Sequence, residues 1–314
     1  GNVSTTSSNQ IYLGLAYQNL NYYSKEFTLD GQLGKIYNNA QFMAKVDFAT
    51  TIPTSYRFIA SISTFDYFRK DKPFLSSKRL ELGFGIAQIE DRYFQNNVID
   101  FDKDKYDKSG YRLFGGSVSF NGSTLNSRQF PIQGAREALV AQIFTGNESF
   151  RPGVNSENKK PVKEKHSWLQ LSYMKEKYHK MGANWILGWY LDAVYASKNF
   201  SENYTATMMQ ASEFAPTAHS KLTYNEAFRA NQYVAAGIRP IYRLNQMFHV
   251  RGEFYGFLPI FPIERNSINK AYYGKAFSRF EYLGEISVVC QLPFGAISAY
   301  VNHYSSPRRE WNVG

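Results

Sequence analysis

The chain has 314 residues, 43% hydrophobic and 17% aromatic, with 24 Tyr and 25 Phe, and its mean hydropathy is -0.43. It contains no apolar run of ~20 residues, which excludes a helical membrane span but not a β-barrel, where only alternate residues face lipid. The net charge is +10, but the basic residues recur singly or in polar connectors such as Lys159 to Lys165 rather than as a stripe, so nucleic acid is not an expected partner; the single Cys290 excludes an intramolecular disulfide.

The polar stretch from Gly1 to Asn9 reads as a leader whose upstream sequence has been removed. Period-two alternation follows and recurs to the end of the chain. Ile11, Leu13, Leu15 and Tyr17 alternate with Tyr12, Gly14, Ala16 and Gln18. The cleanest case is Phe42, Ala44, Val46 and Phe48. Leu80, Leu82, Phe84 and Ile86 come next, interleaved with Glu81, Gly83 and Gly85. Trp185, Leu187, Trp189, Leu191 and Ala193 form another apolar face. Val234, Ala236, Ile238 and Tyr242 place Arg239 and Arg243 on the opposite side. Phe248, Val250 and Phe254 alternate with His249, Arg251 and Glu253. Phe280, Tyr282, Ile286, Val288 and Leu292 alternate with Glu281, Glu285, Ser287 and Gln291, and Ile297, Ala299 and Val301 close the series. Trp311 opens a last segment, cut at Gly314.

About fourteen or fifteen segments can be read this way, many longer than the ~5–6 residues of a soluble strand. Short connectors carry tight-turn residues: Asn38-Asn39, Pro53-Thr54, Lys180-Met181-Gly182, Asn245-Gln246 and Pro293-Phe294-Gly295. Long polar ones span 97–109, 149–165, 200–231 and 259–276. One rim of hairpins and one of long loops is the pattern of a transmembrane β-barrel. A soluble all-β binding module with one wet face would share the alternation, but not an apolar face so rich in Tyr, Trp and Phe. No segment shows helical periodicity.

The strand order resembles the C-terminal "surface antigen" barrel of the outer-membrane assembly-factor superfamily, most closely the barrel of Bacteroidetes patatin-like phospholipases. The residues that carry the likeness are Asn2-Val3-Ser4-Thr5 with Ile11 to Tyr17, the stretch Phe228 to Tyr242, and Val250-Arg251-Gly252-Glu253-Phe254-Tyr255. The resemblance implies an antiparallel transmembrane barrel of about sixteen strands with the last one truncated. Residues 1–314 would then be a single barrel domain of a longer protein whose upstream hydrolase and periplasmic domains are absent here. It further implies the outer membrane of a Gram-negative bacterium, with membrane lipid, lipopolysaccharide and the attached hydrolase as partners. The expected role is anchoring that (phospho)lipase domain, with translocation or lipid delivery as a second task. The oligomeric state is left open.

The superfamily carries a Val-Arg-Gly-Phe/Tyr motif on a long loop that folds into the lumen. Phe228-Arg229-Ala230-Asn231 stands at that place, ending the connector 200–231, so Arg229 is expected to reach Glu253 as a loop-to-lumen clamp; Val250-Arg251-Gly252-Glu253 fits the letters better but lies inside an alternating strand, and the alternative is that Arg229 and Glu253 simply line a wet lumen. Arg239, Arg243, His249, Arg251, Glu281 and Glu285 are expected to line the lumen. The fragment is expected to do no chemistry of its own. It has no Gly-x-Ser-x-Gly elbow; Gly115-Gly116-Ser117-Val118-Ser119 lacks the last glycine and lies within a strand pattern. His166, His179, His219, His249 and His303 are scattered, and His219 beside Ser220 is not a catalytic pair by adjacency. No metal-ligand spacing or cofactor fingerprint occurs, and the acidic run Asp100, Asp102, Asp104 and Asp107 lacks the glycine and terminal glutamate of an EF-hand. The competing readings are a passive porin-like channel, a soluble binding module, and an enzyme built into the barrel wall.

Overall fold

The computed structural model describes the backbone of residues 2–3, 8–19, 25–36, 55–65, 78–93, 95 and 105–313, the last range without 128, 155, 223, 293–294 and 307–310; side chains are described between residues 82 and 306, apart from these and 94, 96–104 and 222. The alternation at Phe42 to Phe48, the turns at Asn38, Pro53 and Pro293, and most of the acidic run at 100–107 lie outside the described residues.

The alternating segments at Ile11, Leu80, Trp185, Val234, Phe248, Tyr282 and Ile297 all form strands. In chain order the strands are β1 (Asn2–Val3), β2 (Ser8–Asn19), β3 (Lys25–Ile36), β4 (Ser55–Phe65), β5 (Lys78–Tyr93), β6 (Asp107–Ser123), β7 (Gly134–Arg151), β8 (Val162–Lys180), β9 (Trp185–Ala196), β10 (Ser212–Glu213), β11 (Arg229–Ala230), β12 (Gln232–Arg243), β13 (Phe248–Pro259), β14 (Ile263–Arg265), β15 (Ala271–Tyr273), β16 (Glu281–Leu292), β17 (Gly295–Tyr304) and β18 (Trp311–Val313). Fourteen of them form one antiparallel meander, β1 to β9 followed by β12, β13, β16, β17 and β18. The pairs β10–β11 and β14–β15 stand apart as small two-stranded sheets. Among the described residues no ladder joins β1 to β18, so the sheet is open at that seam.

The two faces of this sheet are inverted relative to a soluble protein. Phe84, Ile86, Phe114, Ile143, Ile238, Phe254, Ile286 and Ile297 are all exposed, while Asp91, Glu148, Glu176, Arg239, Arg251, Glu253 and Glu285 are buried. On β13 the alternation is strict: Phe248 and Phe254 point out, and His249, Arg251, Glu253, Tyr255 and Phe257 point in. A wall of this kind is stable only where its apolar face meets hydrocarbon, since large exposed apolar patches are costly in water. Replacing outward-facing Ile238 by Arg is therefore expected to destabilise the protein in lipid vesicles by about 2–4 kcal/mol, read by denaturant unfolding; on a water-exposed face the same change would cost within about 0.5 kcal/mol.

Several boundaries differ from the sequence reading. β7 runs to Arg151 and β8 begins at Val162, so the connector read as 149–165 shrinks, because the charged ends of both strands continue the ladder. The 259–276 connector holds the β14–β15 hairpin. A connector at 124–133 went unrecognised. It closes at Gly134, whose φ of +94° and lack of a Cβ are both required, because a Cβ there would lie 2.1 Å from the Thr124 carbonyl oxygen. A short helix, α1 (Tyr204–Gln210), also escaped notice. Two turns are too few to show periodicity, and its start is fixed by the Asn203 side chain accepting from the Ala206 amide.

Candidate functional site: the filled lumen

The segment between β9 and β12, residues 197–231, lies along the buried face of the sheet. Its first part binds β5 and β6: Asn203 Nδ2 donates to Tyr93 Oη (2.7 Å), Gln210 Nε2 to Asp91 Oδ2 (2.7 Å), and the Ser201 and Tyr111 hydroxyls meet at 2.9 Å. Its later part binds β16 and β17: Thr217 Oγ1 donates to Glu285 Oε2 (2.9 Å), while His219 Nδ1 and Nε2 lie 2.7 Å from Glu285 Oε1 and 3.1 Å from Ser298 Oγ. Phe214, between these parts, and Phe228, near the end of the segment, pack on each other and on Tyr233, Tyr255 and Phe257 of the wall. These contacts run along the side of the sheet that carries the buried wall residues. Near the start of the segment the Lys198 ammonium lies over the Trp168 ring at 4.7 Å. Burial pulls its pKa down to about 8, against the opposing pull of the Glu148 and Asp91 carboxylates.

The centre of the lumen is a charged cluster on β8, β12 and β13. Arg239 pairs with Glu176, and its Nε lies 3.6 Å from Glu253 Oε2. Arg251 also pairs with Glu253 and donates to Tyr178 Oη at 2.9 Å. Arg239 lies over the Tyr190 ring at 4.7 Å and donates to Tyr255 Oη at 2.6 Å. Glycines make this geometry possible. A Cβ on Gly237 would come within 2.2 Å of the Tyr255 ring, and one on Gly188 within 2.7 Å of the Tyr178 ring. Both tyrosines thus lie flat against the wall under the arginines.

Each arginine also holds a connector. Arg239 Nη2 donates to Pro216 O (3.2 Å) on the 197–231 segment. Arg251 Nη1 donates to Pro131 O (2.8 Å) on the 124–133 connector, which enters from the opposite rim. These are the clamps of the lumen, and they correct the expected one. Arg229 does not reach Glu253: its Nη2 lies 2.9 Å from Glu213 Oε2, and its Nη1 donates to the carbonyls of Met209 (2.9 Å) and Ala211 (3.1 Å). The reason is local. Glu213 is the direct cross-strand partner of Arg229 in β10–β11, whereas Glu253 shares its strand face with Arg251 two residues away and is satisfied there. Arg229 thus folds the segment on itself rather than tying it to the wall. Arg229→Ala is expected to raise protease sensitivity within 197–231 by about 1.5–3 kcal/mol of local opening, the usual worth of a charge-assisted bond, while the barrel stays intact.

The remaining expected lumen residues divide. His249, Glu281 and Glu285 are buried on the inner face. Arg243 is half-buried at the hairpin rim and donates to Ala183 O (3.4 Å). Glu253 and Glu285 stand directly opposite each other on β13 and β16. Like charges so placed repel, and each is offset by its own partners, Glu253 by the arginines and Glu285 by Thr217 and His219. Sequence reasoning missed two groupings. Glu148, Glu164 and His166 place one ligand atom each within 4.8 Å of one another, with His166 Nε2 2.9 Å from Glu148 Oε2; the cross-strand pairing of Glu148 with Glu164 that creates this set leaves no sequence spacing to find. The other is His219 from the 197–231 segment with Glu285 and Ser298 from the neighbouring strands β16 and β17.

No family model matches the chain, and no curated protein matches it. Among solved structures it is similar to BamA from Haemophilus ducreyi lacking POTRA domains 1–3, with a TM-score of 0.55 and 12% identity over 98% of this chain. It has the fold of an outer-membrane β-barrel. The chain spans 60% of that BamA chain. The β domain of the Bordetella autotransporter BrkA is a looser match, with a TM-score of 0.32 and 10% identity over 99% of this chain and 95% of that one.

Proposed function

We propose that the protein is an outer-membrane barrel of a Gram-negative bacterium that anchors an attached patatin-like (phospho)lipase domain, with residues 197–231 serving as a plug for the lumen. The observation that supports this reading is that, among the described residues, the chain's own segment lies against the buried face of the wall, held through Arg239 and Pro216. Translocation or lipid delivery then requires the plug to move. The hydrolase partner rests on the sequence resemblance alone, carried by Asn2 to Thr5 with Ile11 to Tyr17, Phe228 to Tyr242 and Val250 to Tyr255. Lipopolysaccharide is a fitting neighbour, since Lys159, Lys160, Lys163 and Lys165 are exposed at the rim of long connectors and would meet its anionic groups.

Planar-bilayer recording tests the plug: the protein is expected to show no large steady conductance, and wide steady pores would favour a porin. Fractionation of the whole polypeptide tests the anchor. Esterase activity should sediment with outer membranes and require detergent for release; activity in the soluble fraction would contradict it.

A further inference from the structure

We propose that Ser298, His219 and Glu285 form a serine-hydrolase site inside the barrel, acting on a small acyl ester that carries an anionic group. This goes beyond the anchoring role and does not depend on any attached domain. His219 Nε2 faces Ser298 Oγ at 3.1 Å, and Nδ1 faces Glu285 Oε1 at 2.7 Å. That order of nucleophile, base and orienting carboxylate is recognised by geometry on unrelated folds, regardless of chain order. Glu285 is fully buried, and its second oxygen accepts from Thr217 Oγ1 at 2.9 Å, so the carboxylate is fixed. The imidazole plane is fixed as well, stacked on Tyr300 at 3.5 Å. A residue that merely tied the segment to the wall would need one of these bonds; here both ring nitrogens are engaged, with a hydroxyl on the side away from the carboxylate.

Ser298 and His219 both line a cavity of about 460 Å³ between the 197–231 segment, the 124–133 connector and the wall, a size that suits a small ligand. Arg136, Lys221, Arg239 and Arg251 line it against Glu176 and Glu253, an excess of positive charge that selects an anionic substrate. Phe130, Met174 and Ala296 supply its apolar surface. Phe130 is buried and held at a φ of +50°, a left-handed conformation that bulky residues seldom adopt and that the surroundings must enforce. Its ring lies 5.9 Å from His219.

The reaction balances without any external redox partner. Ser298 Oγ forms a bond to the ester carbonyl carbon as its proton passes to His219 Nε2. The charge on the carbonyl oxygen develops in the cationic cavity, where fixed positive groups stabilise it. Collapse breaks the ester C–O bond, and the leaving alcohol takes the proton from His219. Water then attacks the acyl-serine, its proton moving to His219 and onward to Ser298 Oγ as the carboxylic acid leaves. Ser298 and His219 are the catalytic residues; Glu285 is a positioning residue.

The test is labelling of the whole protein in detergent with a fluorophosphonate probe, the adduct located by peptide mass mapping. Label on Ser298, lost in Ser298→Ala while heat-modifiable mobility still reports a folded barrel, is the expected result. Glu285→Gln should slow labelling on the order of 10⁴-fold and displace its pH profile, which a purely structural role would not do. A folded barrel with no adduct on Ser298 would overturn the proposal. So would an adduct only elsewhere, including on an attached hydrolase.

Discussion

Truncating Glu253 to alanine is expected to destabilise the barrel by about 3–5 kcal/mol, the usual cost of stripping the partner from a buried charge. Glu253 is almost fully buried and offsets two guanidinium groups, Arg251 directly and Arg239 at 3.6 Å. Removing it leaves Arg239 with Glu176 as its remaining carboxylate partner and Arg251 with a tyrosine hydroxyl and the Pro131 carbonyl but no carboxylate. The pair itself need not add net stability, because desolvating both ions offsets most of their attraction. Replacing Arg251 by Met together with Glu253 by Leu should therefore recover most of the loss while freeing the 124–133 connector. Denaturant midpoints of the single and double variants in the same lipid distinguish these effects, and equal losses in both would contradict the argument.

Phe228→Ala is expected to release the plug. The ring is buried on the 197–231 segment, 5.6 Å from both Phe257 and Tyr304 and stacked on Phe214 at 6.5 Å. Losing a buried phenylalanine costs about 3–5 kcal/mol. Here the cost falls on docking of the segment, because Phe228 lies outside the main sheet's ladders. An undocked population raised on the order of 10²-fold or more should appear in planar bilayers as brief channel openings, with the barrel's heat-modifiable mobility unchanged. Openings no more frequent than in the parent protein would mean that the aromatic cluster does not hold the plug.

The wall was legible because alternation is a property of single strands. Arg239, His249, Arg251, Glu253 and Glu285 were placed on the inner face from β12, β13 and β16 alone, and they are buried there. Pairing across the lumen was not legible. Which acid meets which arginine depends on register and on where a 35-residue excursion lands, and neither leaves a period in the sequence. Arg229 shows the limit: motif position put it against Glu253, but the two-residue ladder with Ser212–Glu213 captured it first. His219 was weighed beside Ser220, its neighbour in the chain, when its partner in space is Ser298, 79 positions away. The strand read at Phe42 to Phe48 lies outside the described residues.

Spin labels placed singly along β12, β13 and β16, in a Cys290→Ser background and in lipid vesicles, test the inside-out wall most directly. At 236, 238, 254, 286 and 288 relaxation should be fast with oxygen and slow with a water-soluble nickel complex, as for sites in acyl chains. At 235, 239, 255 and 287 both should be slow, as for sites packed against a filled lumen. Nickel access at the first set without oxygen enrichment, or free nickel access at the second, would contradict the account.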